Sequence, residues 1–246
     1  QEKLAWNFGR KRRSVSMGIY RSSSIKWPVI YRGVEPDSVK FVPLQGDRPM
    51  TLTEILHEHP KGREYGFINE NGPLHPLLVD SENEVLSYPP IINSNDIGAV
   101  KAGDTELFIE ITGTDLPSVL LTASIVSCDL SDFGFSINPV KVEYSYDIPV
   151  GKTITCPFYF QKPVSVEISR VSKLLGRQFS VDDVMKAVLR MGTHAEAHGQ
   201  YVTIYPPVYR NDFMHPVDIV EDVMIGCGMD SFTPEYPRDF TIGRLS

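Results

Sequence analysis

The sequence predicts an α+β fold in two domains, on three observations. Residues 14–50 mix Val, Ile and Tyr with Gly and Pro, a pattern typical of short strands joined by turns. Residues 180–189 carry the apolar spacing of an amphipathic helix. The segment after Gly192 resembles a two-stranded hairpin followed by a further helix start. We therefore expect a mixed first domain over residues 1–152 and a winged-helix-like second domain over residues 153–246, which includes a C-terminal linker.

In the first domain, a helix is predicted to begin at Thr51. Thr51 and Glu54 have the spacing of a capping box, in which each side chain bonds a free backbone N–H at the helix entrance. The helix should end at His59, because the proline that follows disfavours helical backbone at the residue before it. Residues 107–112 are predicted to form a buried strand. The apolar run 119–126 fits a strand or a helix, since short apolar runs do not distinguish the two.

The second domain is predicted to run helix, helix, hairpin, helix. A short helix near residues 169–175 stops at a glycine, and the next helix begins at Ser180, a good capping residue. The hairpin strands are predicted at residues 194–198 and 201–205. Pro216 suits the first turn of the last helix, where its missing N–H costs nothing. This order is that of a winged helix.

The composition excludes several classes of protein. The net charge is −7, whereas a protein that holds RNA mainly by its own surface is usually basic, so any nucleic-acid contact should be local or shared with a partner. Three widely spaced cysteines indicate neither a disulfide framework nor a zinc site, and they suit a reducing cytosol. There is no signal-peptide core and no apolar run near the roughly 18 residues of a membrane helix. We expect a cytoplasmic protein with no membrane contact.

The basic run at residues 10–13 has two possible interpretations. Charge runs are usually solvated surface, and a terminus of this kind needs no further role. The second interpretation is a contact with phosphate groups. Both stay open at this stage.

Familiar catalytic motifs are absent, which leaves Glu110 as the most informative ionisable residue. The chain has no dinucleotide-binding glycine motif, P-loop, zinc-protease motif or nucleophile elbow. Glu110 interrupts an apolar strand, and Thr112 follows on the same face because strand side chains alternate. A carboxylate in this position is hydrogen-bonded, exposed at an edge, or placed to meet a ligand.

A second group of ionisable residues is acidic and lies around the last helix. Its spacing puts three of the four carboxylates on one helix face. Such a density of oxygen ligands suits Mg²⁺. Acidic residues in the first turn are also stabilised by the helix dipole without a metal. The group consists of Asp212, Asp218, Glu221 and Asp222.

Two motifs resemble one known family. Residues 89–94, Pro-Pro-Ile-Ile-Asn-Ser, and residues 108–115, Phe-Ile-Glu-Ile-Thr-Gly-Thr-Asp, resemble the editing domain of phenylalanyl-tRNA synthetase β subunits of the archaeal and eukaryotic cytosolic type. Residues 206–212, Pro-Pro-Val-Tyr-Arg-Asn-Asp, and residues 218–223, Asp-Ile-Val-Glu-Asp-Val, resemble the winged-helix-like domain that follows it. The resemblance covers nearly the whole chain.

The resemblance implies proofreading: hydrolysis of tyrosine wrongly attached to phenylalanine tRNA. By analogy with the family, Glu110 binds the tyrosine phenol and Leu78 packs on its ring. Ser87 and Thr112 position water or the aminoacyl carbonyl. No metal or cofactor is implied for this step.

The resemblance also implies partners. The family enzyme is a heterotetramer of two α and two β subunits, and its ATP-dependent aminoacylation needs the α subunit. It further implies a Mg²⁺ site near the α-subunit contact, held by the acidic group Asp212, Asp218, Glu221 and Asp222.

A rival function is a non-catalytic module for assembly and tRNA docking, with an editing pocket that has decayed. The presence of Glu110, Ser87 and Thr112 together favours the enzyme. A DNA-binding winged helix is disfavoured by the acidic balance of the chain.

Overall fold

The structure, a computed structural model, describes residues 3–234. It mixes helices with small open sheets, which confirms the predicted α+β class. Within the described residues, no helix is both long enough and apolar enough to cross a membrane. The predicted C-terminal linker falls in part on residues 235–246, which lie outside the described residues.

The chain divides into two compact units between Phe158 and Tyr159, whereas the sequence placed the boundary after residue 152. Strand pairing gives a physical reason for the later position. Thr153–Cys156 pairs antiparallel with Val140–Glu143, so these residues complete a hairpin of the first unit.

Strands of the first unit form small antiparallel sheets. A four-stranded sheet has the order β2-β5-β6-β7, and the remaining strands pair as β1-β8, β3-β4 and β9-β10. The pairs β1-β8 and β5-β6 carry the candidate site. The strands are β1 (Val15–Arg21), β2 (Ile30–Val34), β3 (Lys40–Phe41), β4 (Met50–Thr51), β5 (His75–Val79), β6 (Val85–Tyr88), β7 (Ile92–Asn93), β8 (Leu107–Gly113), β9 (Val140–Glu143) and β10 (Thr153–Cys156).

The first helix has the predicted cap and the predicted end. In α1 (Leu52–Glu58), the Thr51 side chain accepts from the Glu54 amide, and the Glu54 side chain accepts from the Thr51 amide. α2 (Pro60–Tyr65) starts immediately after His59, with its proline in the first turn. The proline therefore ends one helix and begins the next.

The ambiguous apolar run forms part of a long helix, α3 (Leu116–Asp132). The Asp115 side chain caps the helix by accepting from the Ser118 amide at 3.0 Å. Inside the helix, the hydroxyls of Thr122 and Ser124 donate to backbone carbonyls four residues earlier. These bonds let polar side chains lie buried in an apolar helix.

The second unit contains the predicted order of helix, helix, hairpin and helix, but a strand that the sequence did not predict, β11 (Val164–Glu167), precedes them. β11, β13 and β12 form an antiparallel sheet in that order, and the helices pack on it around an apolar core. Close packing of the last two helices needs Gly226, since a Cβ there would lie 2.2 Å from the Ala187 carbonyl oxygen. The elements are β11 (Val164–Glu167), α4 (Ile168–Leu175), α5 (Val181–Arg190), β12 (His194–His198), β13 (Tyr201–Tyr205) and α6 (Pro216–Cys227).

Candidate functional site

A buried hydrogen-bonded group in the first unit joins Tyr20, Ser87 and Glu110. In the β1-β8 register, Gly18 lies opposite Glu110 and Tyr20 lies opposite Phe108. The Tyr20 phenol oxygen is 2.9 Å from Glu110 Oε2 and 2.8 Å from Ser87 Oγ. A phenol has one proton, so it donates to the carboxylate and accepts from the serine hydroxyl. The group therefore links β1 and β8 to β6 of the four-stranded sheet.

Gly18 makes this close approach possible. A Cβ at this position would lie 2.2 Å from the Tyr20 hydroxyl oxygen and 2.6 Å from Glu110 Oε2. Real Cβ atoms do not approach other atoms so closely, so any other residue would displace the phenol or the carboxylate. The observed geometry of the site therefore requires glycine at position 18.

One oxygen of the Glu110 carboxylate has no hydrogen-bond partner among residues 3–234. This oxygen, Oε1, is buried. Burial raises the pKa of Glu110 above its ordinary value, while the nearby Thr112 hydroxyl, the Tyr20 phenol and the Gly18 amide lower it in part. Burial and the Glu110 charge together raise the pKa of Tyr20 well above its ordinary value. Tyr20 therefore stays protonated and able to donate.

The other two predicted pocket residues lie close to this group. Leu78 is opposite Ser87 in the β5-β6 pair, and it is buried in the same apolar cluster as Tyr20. Thr112 lies two residues beyond Glu110 on β8, so the two side chains share a face of the strand. Thr112 is half-buried, whereas Ser87 is almost fully buried. The predicted roles stay predictions for all four pocket residues, Leu78, Ser87, Glu110 and Thr112.

Tyr20 was not predicted as a site residue, although the sequence carries a signal for it. Val15–Arg21 has the β-branched and aromatic content of a strand, and Gly18 interrupts it. A glycine inside a strand often marks a close approach by another group. The approaching groups here are Tyr20 and Glu110. As an arrangement, the site offers a carboxylate suited to accept hydrogen bonds from phenols.

In the second unit, Arg210 forms ion pairs with two members of the acidic group. Its guanidinium bonds both oxygens of Asp222, at 2.7 and 3.0 Å, and both oxygens of Asp212, at 3.0 and 2.6 Å. The hydrogen bonds from Arg210 are the largest cause of the lowered pKa of Asp212. Asp222 is buried, so the guanidinium supplies the countercharge that a buried carboxylate needs.

The remaining two acidic residues do not join this arrangement. Asp218 caps α6 by accepting from the Met214 and His215 amides, at 2.8 and 2.6 Å, and Glu221 is exposed. No group of three or more His, Cys, Asp or Glu side chains in the described residues is arranged to hold a metal ion. As folded, the predicted set of Asp212, Asp218, Glu221 and Asp222 does not fit Mg²⁺, because Arg210 and the helix end already use three of the four. The metal site stays a prediction.

Comparisons with known proteins agree with the described fold. Residues 164–229 match the family described as tRNA synthetase B5 domain. The whole chain is 50% identical to the phenylalanine–tRNA ligase β subunit of Borrelia hermsii, of which it spans 44%. It is 48% identical to the same subunit of Treponema pallidum, of which it spans 41%. The chain thus spans less than half the length of these curated relatives.

A solved structure is also similar. An N-terminal fragment of the phenylalanyl-tRNA synthetase β subunit from Pyrococcus horikoshii matches 93% of this chain and 64% of its own, with a TM-score of 0.87 and 38% identity. These matches confirm the predicted resemblance at the level of a β-subunit fragment that contains a B5 domain. The predicted archaeal and eukaryotic cytosolic type is not confirmed, since the curated relatives are bacterial and the structural neighbour is archaeal.

Proposed function

We propose that this chain, a fragment of a phenylalanine–tRNA ligase β subunit with a B5 domain, hydrolyses tyrosine wrongly attached to phenylalanine tRNA. The observation that carries the proposal is Glu110. This buried carboxylate already accepts a phenol hydrogen bond from Tyr20, and its other oxygen has no donor in the described chain. A tyrosyl substrate offers the same phenol group to that second oxygen.

A proofreading site of this kind answers a physical need. Phenylalanine and tyrosine differ by one hydroxyl, and a hydrophobic pocket rejects an added hydroxyl by only about 10²-fold. A second site that uses the hydroxyl for binding reverses the preference. A hydrogen bond to a charged group contributes about 1.5–3 kcal/mol, which corresponds to about a 10- to 150-fold preference for tyrosine.

The remaining pocket residues have different parts in the proposal. Leu78 supplies apolar surface for the substrate ring. Thr112 is half-buried on the face of Glu110, so it is the better placed of the two hydroxyls to orient water or the ester carbonyl. Ser87 acts through Tyr20, to which it is bonded. Hydrolysis of an ester needs no protein nucleophile when water is oriented and the carbonyl polarised, and no metal or cofactor is required.

The whole synthetase sets the context. We propose that the fragment acts in the cytoplasm, in a heterotetramer of two α and two β subunits of the archaeal and eukaryotic cytosolic type, whose α subunit carries ATP-dependent aminoacylation. A Mg²⁺ ion at the α-subunit contact would require Arg210 to release Asp212 and Asp222. The proposed editing step does not depend on that exchange, because the acidic residues belong to the other unit.

A deacylation assay tests the proposal. The folded chain should hydrolyse tyrosyl-tRNA(Phe) and spare phenylalanyl-tRNA(Phe). Glu110→Ala should slow tyrosyl hydrolysis by about 10- to 150-fold, the value of the charged hydrogen bond that it removes. Glu70→Ala, which removes an exposed carboxylate, serves as the control. If Glu110→Ala slowed hydrolysis of a mischarged substrate without a para-hydroxyl equally, Glu110 would not be the sensor of tyrosine.

One observation favours the rival function. The Tyr20 phenol lies at Glu110 and is nearly fully buried, as it would be in a module whose pocket no longer takes substrate. In that case the chain would serve assembly and tRNA docking. Wild-type protein that left tyrosyl-tRNA(Phe) intact would support this function instead.

A further inference from the structure

A surface cleft of about 660 Å³ lies where β1 begins and β8 ends. As far as the structure describes its lining, the cleft has three cations and no acid. This is a local concentration of positive charge on a chain with a net charge of −7. Lining residues include Trp6, Arg10, Lys11, Arg13, Ser14 and Thr114.

The backbone that carries these cations is held in a rare conformation. Arg10, Lys11 and Arg12 have φ of 49°, 56° and 66°, a region that residues with a Cβ seldom adopt. Backbone bonds hold the segment against a short helical segment, Leu4–Phe8: the Lys11 amide donates to the Trp6 carbonyl at 2.9 Å and the Arg12 amide to the Ala5 carbonyl at 3.0 Å. Strained backbone that the surroundings hold in place is typical of ligand-binding segments.

Arg12 is the structural anchor of the basic run. Its Nη1 donates to the carbonyls of Pro90 and Ile91 at 2.8 and 3.0 Å, and its guanidinium lies 4.1 Å from the centre of the Tyr65 ring. The run is therefore not an ordinary solvated terminus. Arg12 fixes it to the body of the first unit, and the Arg13 guanidinium also lies 4.7 Å from the centre of the Phe67 ring.

The other three cations face solvent. Arg10, Lys11 and Arg13 are exposed, and none of them forms an ion pair with a residue in the described range 3–234. Trp6 is beside them, with 43% of its surface exposed and the Lys11 ammonium 4.9 Å from its ring centre. Exposed cations next to an accessible aromatic ring are the elements with which proteins hold single-stranded nucleic acid.

We propose that this cleft binds the single-stranded 3′ end of tRNA, with phosphates at Arg10, Lys11 and Arg13 and a base stacked on Trp6. That the RNA is a tRNA rests on the proposed function. Its position supports it, because Thr114 in the cleft follows Glu110 by four residues, about 13 Å along an extended chain. A tRNA end held in the cleft would thus bring its attached amino acid within reach of the editing residues.

The experiment measures binding of a fluorescent tRNA(Phe) transcript to the whole chain over a salt series, by anisotropy. The variant Arg10→Gln/Lys11→Gln/Arg13→Gln should flatten the slope of log K against log salt by about 0.7 for each single-strand phosphate that the variant no longer binds. The matched control neutralises three exposed lysines elsewhere in the first unit and should keep the wild-type slope. The control is Lys40→Gln/Lys101→Gln/Lys152→Gln.

Trp6→Ala tests the stacking contact separately. It should lower the affinity by about 5- to 150-fold, the range for one stacked base, and leave the salt slope unchanged. The same substitution should have no effect on a tRNA that lacks its single-stranded 3′ end. Circular dichroism confirms that each variant is folded before its binding is compared.

The outcomes distinguish this proposal from the proposed function. Equal slopes of log K against log salt in the triple variant and the control would overturn the proposal that the cleft binds tRNA. So would the absence of measurable binding by the wild type at low salt. In either case, deacylation that depends on Glu110 would still support the proposed function, because it is measured separately. Conversely, binding that depends on the cleft, without deacylation of tyrosyl-tRNA(Phe), would support the cleft and overturn the proposed function.

Discussion

Replacing Tyr20 with phenylalanine isolates the hydrogen bonds at the centre of the site. The change keeps the ring, which packs tilted against Phe108 with centroids 5.8 Å apart, and removes only the hydroxyl. The hydroxyl lies 2.8 Å from Ser87 Oγ and 2.9 Å from Glu110 Oε2. Any effect of Tyr20→Phe therefore reports on those two hydrogen bonds and not on a change in apolar burial.

The expected loss of stability follows from burial. Ser87 and Glu110 are both buried, and a buried polar group left without its partner costs about 1–3 kcal/mol. We therefore expect the free energy of unfolding to fall by at least about 2 kcal/mol. Urea unfolding, monitored by circular dichroism, measures this free energy of unfolding. Tyr146→Phe, which removes an exposed hydroxyl in the same unit, should change it little.

The effect on hydrolysis separates two roles of the phenol. If Tyr20 orients Glu110, Tyr20→Phe should slow hydrolysis of tyrosyl-tRNA(Phe) by about tenfold or more, as misplacement of a binding group does. A faster rate would mean that Tyr20 competes with the substrate phenol for the carboxylate. Unchanged stability together with an unchanged rate would refute the hydrogen-bonded group itself.

Three further predictions concern single residues. Burial raises the pKa of Glu110, so the native protein holds a proton more tightly than the unfolded chain and loses stability as pH rises above about 4.3. Glu110→Gln should flatten that loss in urea titrations at a series of pH values above about 4.3, and an equally steep loss would contradict it. Gly18→Ala should cost about 1–3 kcal/mol and impair hydrolysis, because its Cβ would overlap the site; full activity would disprove the close approach. Asp222→Asn removes the buried carboxylate but leaves the part-exposed Arg210 paired with Asp212, so it should lower the unfolding free energy by about 1.5–3 kcal/mol, the value of a hydrogen bond to a charged group. Asp212→Asn, at an exposed carboxylate, should cost less than about 1 kcal/mol; equal costs would show that burial does not decide the effect.

Local patterns predicted the helices α1, α4, α5 and α6, but they gave individual bounds for few of the strands, namely β8, β12 and β13. The capping boxes at Thr51 and Ser180, and the proline at the start of α6, act within one turn of backbone, so the residues that cause them are adjacent in sequence. The run at residues 119–126 could not be assigned in this way. Its helical state depends on the cap at Asp115 and on burial against β8 and β1, and the apolar pattern encodes neither.

The candidate site was predictable only in part, because its contacts are long-range. Glu110 was identifiable as a carboxylate in an apolar strand. Its partner Tyr20 is 90 residues away in sequence, and Ser87 is 67 residues from Tyr20. No spacing rule connects positions so far apart. Pairing of β1 with β8 brings them together, and this pairing follows from the fold of the whole unit.

The two sites predicted from residue types differ in what a ligand would have to displace. At Glu110 the Tyr20 phenol uses one oxygen, and the other has no donor in the described chain. At Asp212 and Asp222 the Arg210 guanidinium bonds both oxygens of each carboxylate. A phenol arriving at Glu110 adds a hydrogen bond to an existing network, whereas a cation arriving at the acidic pair must first displace a guanidinium. The proposed recognition of tyrosine at Glu110 therefore needs only access to the buried Oε1, while the proposed metal binding in the second unit needs an event that draws Arg210 away.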